Sequence, residues 1–183
     1  MKNHIVITGG AGFVGSNLIE HLIKKTKYKI VSLDNYSSGS RKNHIKNSRV
    51  KYLKGNTKDI FKLLNSKKKK IHSIFHFGEF ARIYQSFLKL GQCLDSNTIG
   101  TNAVFNFCLE NKIKLIYSAT SASLGNKGYD GNLSPYAFTK SKNLEFKSLF
   151  FNDFRELAIF IINKFLAWQR PTLPCLKTKY HRR

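Results

Sequence analysis

A chain of 183 residues, 42% hydrophobic and 13% aromatic, has the size and make-up of one globular domain, which excludes a disordered one. Its formal charge of +22 comes mostly from lysines scattered along the chain and densest at Lys67 to Lys70; no RNA-binding aromatics or zinc-finger spacing accompany them, so they read as solvated surface, and neither a nucleic-acid nor a membrane partner is expected. Cys93, Cys108 and Cys175 are odd in number and form no CxxC pair, which excludes a disulfide framework, leaves no metal expected and points to the cytoplasm.

In chain order, "HIVITGG" reads as a short buried strand running into glycines. From Gly12 the period changes to that of a helix, with Val14, Leu18 and Leu22 on one face and Ile19 and Ile23 beside them. "YKIVSLD" (28–34) is a second strand ending in an acid, and "VKYLKGN" (50–56) a third. "DIFKLLNS" is a short helix, and the lysine run after it a solvated turn. "IHSIFHF" (71–77) is a fourth strand, residues 95–111 a helix and "IKLIYSA" (113–119) a fifth strand. A further helix starts near Pro135, since proline suits a first helical turn. "LAIFIINKFLAW" (157–168) is too short for a membrane span and carries Lys164. Alternating strands and helices predict a Rossmann-like α/β fold, a doubly wound parallel sheet with helices on both faces.

The stretch "ITGGAGFVGSN" sits between the first strand and the first helix, where a glycine fingerprint has a physical meaning. Gly9 can turn out of the strand, Gly12 leaves a pyrophosphate room to approach, and Gly15 lets the helix pack closely. The helix N-terminus offers free N–H groups and partial positive charge to the phosphates. The spacing is GxxGxxG rather than GxGxxG. Asp34, 19 residues after Gly15, ends the second strand where a carboxylate can accept from both ribose hydroxyls and repel a 2′-phosphate, which favours NAD over NADP.

"SPYAFTK" places Tyr136 and Lys140 four residues apart on one helix face. An ammonium beside a phenol favours the phenolate, so Lys140 is expected to lower the Tyr136 pKa and fit it for acid–base work. The fifth strand runs into "SATSASLG", where Thr120 would turn a hydroxyl toward the cofactor crevice.

On these motifs the chain resembles the extended short-chain dehydrogenase/reductase family, the NAD-dependent nucleotide-sugar epimerases and dehydratases typified by UDP-galactose 4-epimerase. "TGGAGFVGSNL" matches the family's opening motif and adds Phe13 and Val14 to the implied cofactor contacts. "LDNYSSG" matches its ribose motif, Asp34 and Asn35 followed by Tyr36, Ser37, Ser38 and Gly39. "GNTKD" resembles its adenine-contacting segment, with Asn56 in place of an aspartate and Thr57 next to it; the Asn56 amide oxygen would still accept from the adenine amine. "FHFGEFARIYQS" resembles the segment in which Phe77, Gly78, Glu79, Phe80 and Ala81 would lie along the cofactor. "NTIGT" resembles the helix motif that presents Asn97, and "SPYAFTK" the catalytic Tyr-x-x-x-Lys.

The resemblance implies a mechanism. Tyr136 would take the proton of a sugar hydroxyl while hydride leaves C4 for NAD. The keto-sugar would turn over and take the hydride back on its other face. Lys140 would tune Tyr136 and bond the nicotinamide ribose, and Thr120 would hold the sugar hydroxyl. UDP-glucose and UDP-galactose are the implied substrates and a homodimer the implied assembly.

Three departures stand out. Leu124 precedes Gly125 where the family carries an aromatic, usually tyrosine. Glu79 stands where the family has small residues, and a carboxylate near the pyrophosphate is unfavourable unless it points to solvent. The resemblance covers 1–145, read as the NAD-binding domain; 146–183 reads as a divergent tail with a last helix and strand and a basic, poorly ordered end. The tail lacks an Asn-x-Tyr-Gly-Pro signature, so a C-terminally shortened enzyme with little turnover is expected. "SATSASLG" has no acid, which argues against a dehydratase. The alternatives are a dehydratase or reductase, or a non-catalytic NAD-binding remnant.

Overall fold

Val6 and Ile7 are wholly buried because their strand, β1 (His4–Thr8), lies inside a sheet covered on both faces. The computed structural model describes residues 2–120, 133–151 and 157–161. Five more strands, β2 (Lys29–Asp34), β3 (Val50–Lys54), β4 (Ile71–His76), β5 (Lys114–Ala119) and β6 (Leu157–Ile161), join β1 in a wholly parallel sheet of order β3-β2-β1-β4-β5-β6. The order reverses between β1 and β4, and a crevice opens there at the carboxyl ends of the strands. This is the expected doubly wound fold.

The two-residue period of β1 divides its side chains between two cores. Ile5 and Ile7 pack with Ile30 of β2 against Ile19 and Leu22 of helix α1 (Phe13–Lys25). Val6 packs on the other face with Ile74 and Leu115, under α2 (Ile60–Leu64) and α5 (Thr101–Glu110), which supply Leu64, Val104 and Phe107. Within α1 the buried stripe is Gly15, Ser16, Ile19 and Leu22, whereas Val14 is exposed. The helix is therefore turned from the face expected at Val14 and Leu18, because its first turn borders the crevice.

Two short helices were not legible in the sequence, α3 (Ile83–Leu88) and α4 (Leu90–Leu94). Their apolar residues Ile83, Tyr84, Phe87, Leu88 and Leu90 are exposed, so they carry no stripe facing this chain's own core. The expected helix over 95–111 begins with a π-helical turn, Asp95–Gly100, before α5. The last described helix, α6 (Pro135–Phe151), buries Ala137, Thr139, Lys140 and Asn143 toward the crevice. Leu124, Gly125, Cys175 and the basic end lie outside the described residues.

Candidate functional site

The crevice is a cleft of about 630 Å³, a usual size for a small-molecule site. Its floor is the turn after β1. Gly9 has φ of 71°, a left-handed conformation, and a Cβ there would lie 2.8 Å from the Phe77 carbonyl. A Cβ on Gly15 would lie 2.4 Å from the Gly9 oxygen, so helix and turn touch through backbone. At Gly12 the same Cβ would meet only the Gly9 oxygen, at 3.2 Å, so this position faces open space. Gly12 caps α1 without a side-chain bond, and Phe13, Val14 and Gly15 begin a helix whose first N–H groups have no intrahelical partner. All of these residues line the cleft. A bare helix N-terminus behind an open glycine fits a pyrophosphate.

Asp34, Asn35, Ser37, Ser38, Asn56 and Thr57 form one wall. The Asp34 carboxylate is buried and accepts from Ala11 N at 2.9 Å and Tyr36 N at 2.8 Å. It shapes the loop in addition to facing the cleft. The Asn56 amide oxygen, expected to await an adenine amine, already accepts from Asn35 Nδ2 at 2.9 Å. Tyr36 and Gly39 are not part of the cleft lining. Tyr36 adopts a φ of 61° and bonds His44, and a Cβ on Gly39 would lie 3.0 Å from the Asp34 carboxylate. Both shape the ribose loop from behind. At the rim, Lys58 and Asp95 form an exposed ion pair at 2.9 Å.

Phe77, Gly78, Glu79, Phe80 and Ala81 form the opposite wall, and Thr120, Tyr136 and Lys140 close its end. Asn97 is absent from the lining. It is fully buried on the π-helical turn, accepts from Phe80 N at 2.6 Å and donates to Phe80 O at 3.0 Å. Its amide braces the wall rather than forming the wall's surface.

One expectation is overturned here, and the cost foreseen for a carboxylate at Glu79 is met by pairing rather than by solvent. Glu79 does not point to solvent: its side chain is 4% exposed and ion-paired to Lys140, itself 4% exposed. Thr101 Oγ1 and Tyr117 Oη each donate to Glu79 Oε1 at 3.0 Å, which makes burial of the charge tolerable. The Tyr136 pKa is not lowered but raised, first by burial, against a Thr120 hydrogen bond that lowers it, and then by the negative charge of Glu79. The described partners of the Lys140 ammonium are Glu79, the Ser118 carbonyl and the face of the Tyr117 ring 4.5 Å away.

The sequence reading missed the polar side chains behind this wall. Thr8 Oγ1 accepts from Phe77 N at 3.1 Å and Gly78 N at 3.0 Å, so its own proton goes to His76 Nδ1, 2.6 Å away. His76 then carries its proton on Nε2 and donates to Thr101 Oγ1 at 3.0 Å, which in turn donates to Glu79. Burial pushes the His76 pKa down to about 4, in keeping with this neutral ring. The available signal was a polar residue at the end of an apolar strand, Thr8 on β1 and His76 on β4. Among the described residues, no three His, Cys, Asp or Glu side chains group as a metal site.

The chain is 35% identical over 129 residues to a dTDP-D-glucose 4,6-dehydratase of Dictyostelium discoideum, a match covering 67% of this chain and 30% of that protein. It is 30% identical over 148 residues to an ADP-L-glycero-D-manno-heptose-6-epimerase of Brachyspira hyodysenteriae, covering 74% of this chain and 45% of the relative. The chain thus matches less than half the length of either. Its fold matches a UDP-glucose 4-epimerase of Thermotoga maritima with a TM-score of 0.76 at 21% identity, over 86% of this chain and 54% of that one. The family profile described as the NAD dependent epimerase/dehydratase family matches residues 5–144, from β1 into α6, and so takes in the glycine loop, the ribose loop and the Tyr136–Lys140 helix. That span is most of the chain and contains the whole described cleft, so the chain belongs to the NAD-dependent epimerase/dehydratase family, whose cofactor is NAD.

Proposed function

We propose that this chain carries the cofactor and acid–base half of a nucleotide-sugar epimerase acting at C4 of a sugar such as that of UDP-glucose or UDP-galactose. The carrying observation is that Tyr136, Thr120 and Lys140 share one cleft with the bare N-terminus of α1. Gly12 and the first turn of α1 would hold the pyrophosphate and Asp34 the adenosine ribose. When bound, NAD supplies a hydride acceptor at its nicotinamide. Tyr136 takes the proton from a sugar hydroxyl and later returns it, and Thr120 shares that hydrogen bond. Lys140 stabilises the charge that develops on Tyr136.

A dehydratase is the second reading, favoured by the 35% identity to a relative of that name. Against it, the one acid among the Phe77–Ala81 wall residues, Glu79, is tied to Lys140 and so is not free to remove a ring proton. The exposed apolar side chains of α3, with Phe138 and Phe146 on α6, support assembly with a second copy. No described helix is long and apolar enough to cross a membrane, and a cytoplasmic location remains part of this reading.

The test is interconversion of UDP-glucose and UDP-galactose, by the chain alone and by the chain joined to the C-terminal half of a family epimerase. The alone form is expected to stay near background, because orienting the sugar is commonly worth about 7–11 kcal/mol. The joined form is expected to turn over and Tyr136→Phe to abolish it. Turnover indifferent to Tyr136 would overturn the proposal.

A further inference from the structure

The least expected feature of the cleft is a buried carboxylate holding the lysine of the Tyr–Lys pair. We infer that Glu79 is a positioning residue of the proposed acid–base site: its carboxylate captures the Lys140 ammonium at the end of β5 and sets how much of that positive charge reaches Tyr136. The inference rests on the reading above of Tyr136 and Lys140 as the acid–base pair.

The geometry fixes Glu79 from several elements at once. Oε2 pairs with Lys140 of α6, and Oε1 accepts from Thr101 of α5, Tyr117 of β5 and Asn143 Nδ2 of α6, the last at 3.3 Å. Thr101 is itself held by His76, and His76 by Thr8, so a chain of donors runs one way from the end of β1 to the carboxylate. The start of that chain, Thr8, also holds the backbone of Phe77 and Gly78 on the cleft wall. The position of the lysine is thereby tied to the wall along which a cofactor would lie. A carboxylate kept only for packing would not need three donors and a cation.

The titratable and charged groups facing Glu79 are His76 from β4, Tyr117 from β5, Cys93 from α4, and Tyr136 and Lys140 from α6. Its negative charge raises the pKa of Tyr136 directly, and by pairing with Lys140 it also offsets an ammonium that would favour the phenolate. Lys140 bound to Glu79 therefore acts as half of a neutral pair. Removing the carboxylate charge moves Tyr136 toward the phenolate by both routes.

The experiment follows phenolate absorbance against pH and isolates Tyr136 as the difference between each protein and its Tyr136→Phe counterpart. In Glu79→Gln, Tyr136 is expected to titrate about one pH unit lower than in the wild type, a tenfold change in its phenolate-to-phenol ratio. Glu79→Asp, which keeps the charge, is expected to stay nearer the wild type. Coincident titrations of the wild type and Glu79→Gln would overturn the inference. If Glu79→Gln fails to give a native circular dichroism spectrum, Thr101→Val takes its place. With one donor fewer the carboxylate charge is less compensated, Tyr136 is expected to titrate higher, and an unmoved titration overturns the inference. A Tyr136 titration that follows Glu79, with no Tyr136-dependent turnover in the joined chain, would support this inference and overturn the proposed function. Tyr136-dependent turnover with a titration indifferent to Glu79 would do the reverse.

Discussion

At the scale of single residues, Asp34 and His76 show what burial does to a charge and to a neutral ring. The Asp34 carboxylate takes two backbone N–H groups and still borders the cleft. Negative charge there repels a 2′-phosphate, so calorimetry is expected to give NAD at least a tenfold tighter Kd than NADP, about 1.4 kcal/mol, with the gap narrowed in Asp34→Ala. Equal wild-type affinities would contradict that assignment. His76 has a native pKa near 4 against 6.5 for the free side chain, because it is buried. Its folded pKa is depressed, so the unfolded chain takes up a proton that the native chain refuses. Stability present above pH 6.5 is then lost as pH falls toward 4, by roughly 3 kcal/mol at full titration. Urea unfolding at pH 7 and pH 5 is expected to show that decline in the wild type and a flatter one in His76→Asn.

Among the elements, the strand–turn–helix at the start of the chain separates fold from ligand most cleanly. A side chain at Gly15 drives into the Gly9 oxygen and Gly10 Cα, at 2.4 and 2.6 Å from its Cβ. Gly15→Val is therefore expected to lower the urea midpoint, a cost of about 1–3 kcal/mol. At Gly12 only one backbone atom comes near, so Gly12→Val is expected to keep most of the stability and lose NAD binding in a calorimetric titration. Normal NAD binding by Gly12→Val would reduce the loop to a structural turn. The other end of α1 is held without a ligand: Arg49 donates to the carbonyls of Ile23 and Thr26, and its positive charge suits a helix C-terminus.

For the molecule as a whole, the charge of +22 on 183 residues opposes compaction by self-repulsion. Most described ion pairs are exposed and contribute little, the Glu79–Lys140 pair being the buried one among them. Salt that screens the surface is expected to raise the Tm between about 0.05 and 0.5 M ionic strength, where the screening length falls from above 10 Å to a few ångströms. A Tm that falls over this range would place the decisive electrostatics in attractive surface pairs instead.

What the sequence determined by itself is local. The runs of β1, β4 and β5, the change of period at Gly12, the acid ending β2 and the Tyr136–Lys140 spacing each lie within a few residues, where strand and helix periods and turn chemistry act. They were sufficient for the doubly wound sheet, the glycine floor and the Tyr136–Lys140 end of the cleft, whereas the Phe77–Ala81 and Asn56–Thr57 walls were legible only through the family resemblance. The tertiary structure decided what depends on distant partners. Glu79 meets Lys140 across 61 positions and Thr8 meets His76 across 68, and no local pattern encodes either meeting. For that reason Glu79 turns inward to a cation rather than out to solvent, Asn97 is a brace for Phe80, and burial holds the Tyr136 pKa up where the Tyr–Lys spacing alone predicts it lowered. A carboxylate where the family carries small residues looks misplaced in the sequence, because its hydroxyl, amide and ammonium donors come from three other elements, α5, β5 and α6, and assemble only when the sheet does.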